Sequence, residues 1–403
     1  MEVRFDLVES VFDEIREHWK IDPDIDVWEN TQYLAHGITS IRLVQTRKNP
    51  SERPTIKVGN VRRVVPGPIR PANRWFLSIE INPLRLLGEP SDPRFVLPLA
   101  AMDQVVGQFD EHLKALIPQT LFFPSLSDWP VQRIEYAITV PVSRLGKESA
   151  TVDQYVELFQ RGRILAHFQL KKTVSMGTIV DNRSINIQCC SLHRALVKYG
   201  SCSAEVLEQT VHLLRFSIEV KRRMLSLVSR RYGLLNRLAL FIDPTVAFRL
   251  VGRALAPLIS DTDYYSVRKA AAQLAHREKC DKRVREGCRD VLKAIDTAGS
   301  LEQAIGTWRA GKKIEIRYGQ QRIKIGLARW QIRRRIRQLL SYGINPVPVP
   351  PSWKKGRIIN PLRVLWDKIE SLPPEPERRR ILSPKRNRVQ ADYHENQHEE
   401  EAF

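Results

Sequence analysis

The chain has 403 residues, of which 42% are hydrophobic, and carries 65 Lys and Arg against 45 Asp and Glu, a formal net charge of +20. This length favours two or three domains, and the apolar content excludes a chain that is disordered throughout. The charge, with a sequence pI near 9.9, indicates a polyanionic partner, either nucleic acid or an anionic membrane surface.

No segment contains the about 18 unbroken apolar residues of a membrane helix, and no basic region followed by an apolar run opens the sequence. The five cysteines form no regular framework, and an odd number fits a reducing compartment. We therefore expect a cytoplasmic protein without a membrane partner.

Hydrophobic periodicity predicts an α+β domain at residues 1–225, with a mostly antiparallel sheet and flanking helices. The predicted elements, in chain order, are a strand at Val3–Val8 followed by an amphipathic helix, strands at Ile41–Gln45, Thr55–Val65 and Trp75–Ile81, a helix at Leu97–Leu116, a strand at Arg133–Val140, a helix at Val152–Arg161 capped by Thr151, and strands at Ile164–Leu170, Thr173–Val180, Ser184–Cys189 and Leu213–Val220.

From residue 226 the pattern becomes helical and basic, and we predict an α-helical DNA-binding region at residues 226–345. Its predicted helices are Leu234–Leu240, Pro244–Leu258, Tyr265–Ile295, one opened by the capping-box pattern Ser300-Leu301-Glu302-Gln303, and Ala328–Tyr342. Residues 346–403 are predicted to be a Pro-rich linker, Pro346–Pro351, and a largely disordered charged tail.

Three predicted strands each carry one carboxylate inside an apolar run, namely Glu80, Glu135 and Glu219. A carboxylate in a strand is costly to bury unless a metal ion or a basic partner neutralises it. Two carboxylates on neighbouring strands can hold a divalent cation against a phosphodiester, so Glu80 and Glu135 are candidate ligands of Mg²⁺ or Mn²⁺. The alternative is that each pairs with a nearby arginine such as Arg133.

The helix predicted at Ala328–Tyr342 has one apolar face and one arginine-rich face. Five arginines and no acidic residue lie between Arg329 and Arg337, whereas an ordinary surface helix mixes both signs. Because a shorter capped helix precedes it, the pattern resembles the recognition half of a helix-turn-helix. The candidate DNA-binding residues are Arg329, Arg333, Arg334, Arg337, Lys312 and Lys313. The alternative is a solvated surface face.

Other motifs give weaker signals. Cys189, Cys190, His193 and Cys202 do not have the spacing of usual zinc ligands, so buried free thiols and a surface histidine are the favoured interpretation. The chain contains neither a Walker-type phosphate loop nor a His-Glu-x-x-His run, and the sequence therefore gives no support for ATP-driven or metalloprotease chemistry.

Four segments follow one another in a distinctive order: Trp75–Gly88, the strand Val131–Ala137 with Arg133-Ile134-Glu135, the strand Leu214–Val220 and the basic helix Trp330–Gly343. In order and spacing they resemble the filamentous-phage gene II/X family of phage and plasmid replication initiators, over roughly residues 70–345. Glu135 stands where that family usually has Asp.

The resemblance implies an HUH-endonuclease-like fold and a rolling-circle replication initiator. Such proteins bind a double-stranded origin and nick one strand with a tyrosine and a divalent metal. They keep the 5′ end as a phosphotyrosine while the 3′ end primes synthesis, and they then rejoin the displaced strand. It further implies Mg²⁺ or Mn²⁺ as cofactor, single-stranded DNA, a host helicase and a polymerase as partners, and the bacterial cytoplasm as location.

Two positions depart from the family pattern. Gln188 stands where the resemblance places the tyrosine nucleophile, and the loop after Glu80 lacks the family's histidine. Either the alignment slips, or another tyrosine serves, or nicking is lost. Tyr199 is the candidate substitute, because strand alternation places Tyr136 on the sheet face opposite to Glu135. The alternative function is a catalytically silent DNA-binding regulator or accessory protein of the same fold. A basic RNA-binding protein is a third interpretation, without the usual aromatic signature.

Overall fold

A computed structural model describes residues 1–22, 24–25, 27–30, 38–47, 55–58, 61–64, 73–88, 97–118, 120–162, 169–174, 177–199, 203–276 and 281–373. The strands are β1 (Glu2–Leu7), β2 (Val27–Asn30), β3 (Ile38–Arg47), β4 (Thr55–Val58), β5 (Val61–Val64), β6 (Asn73–Ile81), β7 (Val131–Pro141), β8 (Gln169–Val174), β9 (Gly177–Asp181), β10 (Ile185–Ser191), β11 (Leu213–Lys221), β12 (Tyr264–Tyr265), β13 (Ile314–Tyr318), β14 (Gln321–Ile325) and β15 (Arg357–Ile358). The helices are α1 (Glu9–His18), α2 (Pro83–Leu86), α3 (Met102–Leu116), α4 (Val152–Arg161), α5 (Leu192–Tyr199), α6 (Ala204–Thr210), α7 (Arg222–Tyr232), α8 (Leu238–Ile242), α9 (Pro244–Leu255), α10 (Val267–Ala275), α11 (Lys282–Ala298), α12 (Leu301–Arg309), α13 (Arg329–Ser341) and α14 (Arg363–Glu370).

The main sheet has nine strands among the described residues, in the order β2-β3-β6-β1-β7-β11-β10-β9-β8. Every neighbouring pair in it is antiparallel. Alternation decides which side chains are buried: in β11, Leu214, Phe216, Ile218 and Val220 are buried and the residues between them are half-buried. The predicted α+β class with a mainly antiparallel sheet is confirmed.

Helices pack on the apolar side of this sheet. Phe159 of α4 contacts Phe216 of β11 with the ring centroids 6.1 Å apart. Trp129 contacts both Phe109 of α3, at 5.7 Å, and Phe5 of β1, at 5.2 Å. Thr151 caps α4 as predicted, because its hydroxyl accepts from the backbone N–H of Gln154, an interaction that stabilises a helix by about 1 kcal/mol. Glu80 and Glu219 alternate with buried residues of their strands, so these charged side chains lie on the opposite side of the sheet.

Residues 265–344, which we call the inserted unit, build a second hydrophobic core. They comprise α10 to α13 and the hairpin β13–β14. The two ends of the inserted unit lie side by side. Asp263 forms an isolated β-bridge with Ile344, and the backbone N–H of Asn345 donates to Asp263 O at 3.0 Å. Helices α7 to α9 belong to the first core. The two hydrophobic cores thus divide near Asp263.

The Pro-rich segment is part of the packed structure. Pro346–Pro350 is buried, and Val349 N donates to Tyr265 O at 3.0 Å. The predicted linker is therefore wrong at these residues, and α14 follows and packs against α9. The tail that was expected to be disordered lies outside the described residues from residue 374 onward.

Several predicted elements differ in their limits. The strand expected at Thr55–Val65 is the hairpin β4–β5, and the helix expected at Tyr265–Ile295 is divided into α10 and α11. The helix expected at Leu234–Leu240 begins at Leu238 instead. The hairpin β13–β14 separates α12 from α13. A helix-turn-helix joins its two helices by about three or four residues, so that resemblance is wrong.

Candidate nucleic-acid interface and carboxylate cluster

Helix α13 is oriented by its apolar residues. Ile332, Ile336 and Leu339 are buried in the core of the inserted unit, because they recur at the spacing of one helical face. Gln331 fixes the first turn by accepting from Ala328 N at 2.8 Å. The opposite face of α13 is therefore turned away from that core.

The predicted arginines lie on this outer face. Arg329, Arg334 and Arg337 are exposed and Arg333 is half-buried; we call these four residues the arginine face. Within the described part of the chain, none of the four lies in an ion pair with an acidic side chain. Unpaired guanidinium groups on one helix face form a positive surface suited to phosphate oxygens.

A hollow of about 450 Å³ lies on the same helix face, lined by Trp330, Arg333, Arg334, Arg337, Gln338 and Ser341. Trp330 is 62% exposed. The sequence held a signal for this residue that the sequence-based prediction missed: Trp330 precedes Arg333, Arg334 and Arg337 by three, four and seven positions, which places it on the arginine face.

Arg335 is different from its neighbours. Its guanidinium donates to Gln338 Oε1 at 3.1 Å and packs against α11 at Gly287, where an added Cβ would lie 2.4 Å from Arg335 Cζ. Lys312 and Lys313 are exposed before β13. The Cγ atom of Lys313 lies 3.0 Å from the place that a Cβ atom would occupy at Gly326. Gly326 lies shortly before Arg329, the first residue of α13. Lys313 thus lies beside the segment that precedes α13.

The carboxylates of the sheet gather around Arg133. Its Nη2 donates to Glu80 Oε1 at 2.6 Å, and its other nitrogens lie 3.6 Å from Glu2 Oε2 and 3.6 Å from Glu219 Oε2. Glu2 is held further by Arg42 Nη2 at 3.1 Å. These side chains are partly exposed, so the pairs are solvent-screened. Arginine pairing, the alternative raised from the sequence, is what the structure has at Glu80.

Glu80 and Glu135 do not lie on neighbouring strands as expected. Strand β1 lies between β6 and β7, which separates the two backbones by about 10 Å. Glu80 is opposite Glu2, whereas the exposed Glu135 is opposite Glu219. Among the described residues, no group of three or more His, Cys, Asp or Glu side chains is arranged to hold a metal ion.

The candidate nucleophiles have different surroundings. Gln188 alternates with the buried Ile187 and Cys189, and is half-buried opposite Ser217 on the charged side of the sheet. Tyr136 donates from its hydroxyl to Phe241 O at 2.8 Å, and burial raises its pKa well above the ordinary value. Tyr136 is thus unsuited to attack DNA. Tyr199 is the last residue of α5, and its side chain lies outside the described structure.

The cysteines and the histidine considered as zinc ligands do not form a common site. Cys189 and Cys190 are consecutive in β10, so their side chains leave opposite sides of the sheet, and both are free and buried. Burial raises the pKa of each thiol. His193 donates from Nδ1 to Leu207 O at 2.9 Å. Cys202 lies outside the described residues.

Comparison of the chain with protein-family models, with curated proteins and with solved structures gives no match. In the described part of the chain, no helix combines the length and the apolar character needed to cross a membrane.

Proposed function

We propose that the protein is a phage or plasmid replication protein that binds DNA through the arginine face of α13. The observation that carries the proposal is this set of arginines without an acidic partner among the described residues. It belongs to an inserted unit whose sequence has twenty Lys and Arg against seven Asp and Glu. Phosphates would replace the counterions around these arginines, so that binding weakens steeply with salt.

The first test reverses two exposed arginines of this face. For the variant Arg334→Glu/Arg337→Glu, we expect the affinity for a duplex to fall by at least tenfold, and the slope of log K against log salt to decrease by about one or two. Fluorescence anisotropy with a labelled duplex at several salt concentrations measures both. The matched control is Arg144→Glu/Arg183→Glu, which changes the same charge at exposed positions outside the inserted unit. Equal losses in both variants would contradict the proposal.

Nicking and rejoining of one strand is the second candidate function. The family resemblance and the carboxylates on one side of the sheet favour it. Glu80 does not fit a metal site as the structure stands, because its carboxylate is bonded to Arg133, and we assign no step to a metal between Glu80 and Glu135. Gln188 cannot form a phosphodiester link, which favours the catalytically silent alternative unless Tyr199 serves as nucleophile.

A covalent-adduct assay separates these two functions. The protein is incubated with Mn²⁺ and supercoiled DNA of its own replicon, denatured, and searched for DNA-linked peptides by mass spectrometry. If the protein nicks, we expect an adduct on Tyr199 that the variant Tyr199→Phe loses. Adducts that survive in Glu80→Gln and Glu135→Gln would remove those carboxylates from the reaction. Bound DNA that stays supercoiled would identify a DNA-binding protein without nicking activity.

A further inference from the structure

We propose that the hollow beside Trp330 binds an unpaired base of single-stranded DNA, which stacks on the indole ring while Arg333, Arg334 and Arg337 bind the neighbouring phosphates. This inference rests on the proposed DNA binding and names the form of DNA that the site accepts.

Trp330 is unusual in its exposure and its neighbours. A tryptophan that is 62% exposed leaves a large flat apolar surface in water, which a stacking partner would cover. The other lining residues are arginine, glutamine and serine. The surface thus has one aromatic ring surrounded by positively charged and hydrogen-bonding side chains. A base joined to phosphates has the complementary chemistry.

The surroundings argue against an anionic membrane as the partner. A membrane-binding helix face needs several apolar side chains that enter the interface together. Among the described residues of the inserted unit, Trp330 is the only large hydrophobic residue that is exposed. A single ring among arginines suits a base better than a lipid surface.

The indole ring of Trp330 also distinguishes single-stranded from duplex DNA. In a duplex both faces of each base are covered by stacking, and only the base edges are open to a protein. An unpaired base offers its face to an aromatic side chain, and such stacking contributes to affinity for any base. Arg334 and Arg337 serve both forms of DNA, whereas Trp330 serves only the single strand.

The test compares Trp330→Ala and Trp330→Phe with Arg334→Glu/Arg337→Glu on two labelled probes, an oligothymidylate of about 20 nucleotides, longer than the usual site, and a duplex of equal length. For Trp330→Ala, we expect about a tenfold loss or more on the single strand and less than a twofold change on the duplex. Trp330→Phe should recover part of the loss because phenylalanine also stacks. Because Trp330 is exposed, the thermal midpoint should stay unchanged in both variants.

Three other results have definite meanings. If Trp330→Ala binds both probes normally while the arginine variant binds neither, stacking is overturned and DNA binding by α13 stands. If the arginine variant also binds normally, the proposed function itself fails. If Trp330→Ala instead loses binding to phosphatidylserine vesicles and keeps the single strand, the hollow serves a membrane and the inference is overturned.

Discussion

At the scale of single residues, Arg133 explains how three glutamates coexist on the sheet. Its guanidinium contacts Glu80, Glu2 and Glu219 within 3.6 Å or less, so one cation offsets the mutual repulsion of several carboxylates. All four side chains keep some exposure, with Arg133 at 36%. Because water screens these pairs, each contributes only modestly to stability.

Removing this guanidinium should destabilise the sheet. We expect Arg133→Met to lower the free energy of unfolding by about 1–2 kcal/mol at neutral pH, a charged hydrogen-bond contribution reduced for solvent screening. Adding Glu80→Gln should restore part of the loss, because one unpaired carboxylate is then removed. Urea denaturation of the single and double variants measures this coupling. Arg42→Met removes a guanidinium that, among the described residues, is paired with one carboxylate, that of Glu2; it is the control and should lose less.

At the scale of elements, local sequence patterns predicted the strands and helices whose formation depends on neighbouring residues. Alternation predicted β6, β7 and β11, the capping chemistry of Thr151 predicted the start of α4, and the apolar spacing predicted α13 almost to its ends. The same periodicity placed the arginine face outward. These features depend on residues a few positions apart, which is why a single sequence contains them.

Pairing between distant segments could not be predicted in this way. The insertion of β1 between β6 and β7 depends on contacts between residues at least 68 positions apart, and it places Glu80 opposite Glu2 and not beside Glu135. Burial of the Pro-rich segment depends likewise on Tyr265, far away in the sequence. Proline content indicates a stiff linker. It contains no information about which distant residues pack over the segment, so its burial could not be predicted.

At the scale of the whole molecule, the inserted unit joins the first core where its two ends meet, and Arg161 of α4 also donates from Nε to Gly299 O of the unit at 2.9 Å. Asn360 is fully buried there; its amide donates to Ser260 O and Thr262 O, and its N–H donates to Asp263 Oδ1 at 2.8 Å. Asp263 and Asn345, the residues that flank the unit, are hydrogen-bonded neighbours. The two points at which the first core connects to the inserted unit are thus hydrogen-bonded neighbours.

We therefore expect the first core to fold without the inserted unit. Replacing residues 267–343 by about six Gly and Ser residues keeps β12 paired with β15 and closes a short gap, which adds little loop entropy. The shortened protein should unfold in one cooperative transition, measured by circular dichroism in urea. It should also fail to bind the duplex at concentrations at which the full chain is saturated, because the arginine face is gone. A shortened protein that folds and still binds as tightly would place the DNA contact on the first core, and one that never folds would show that the two cores depend on each other.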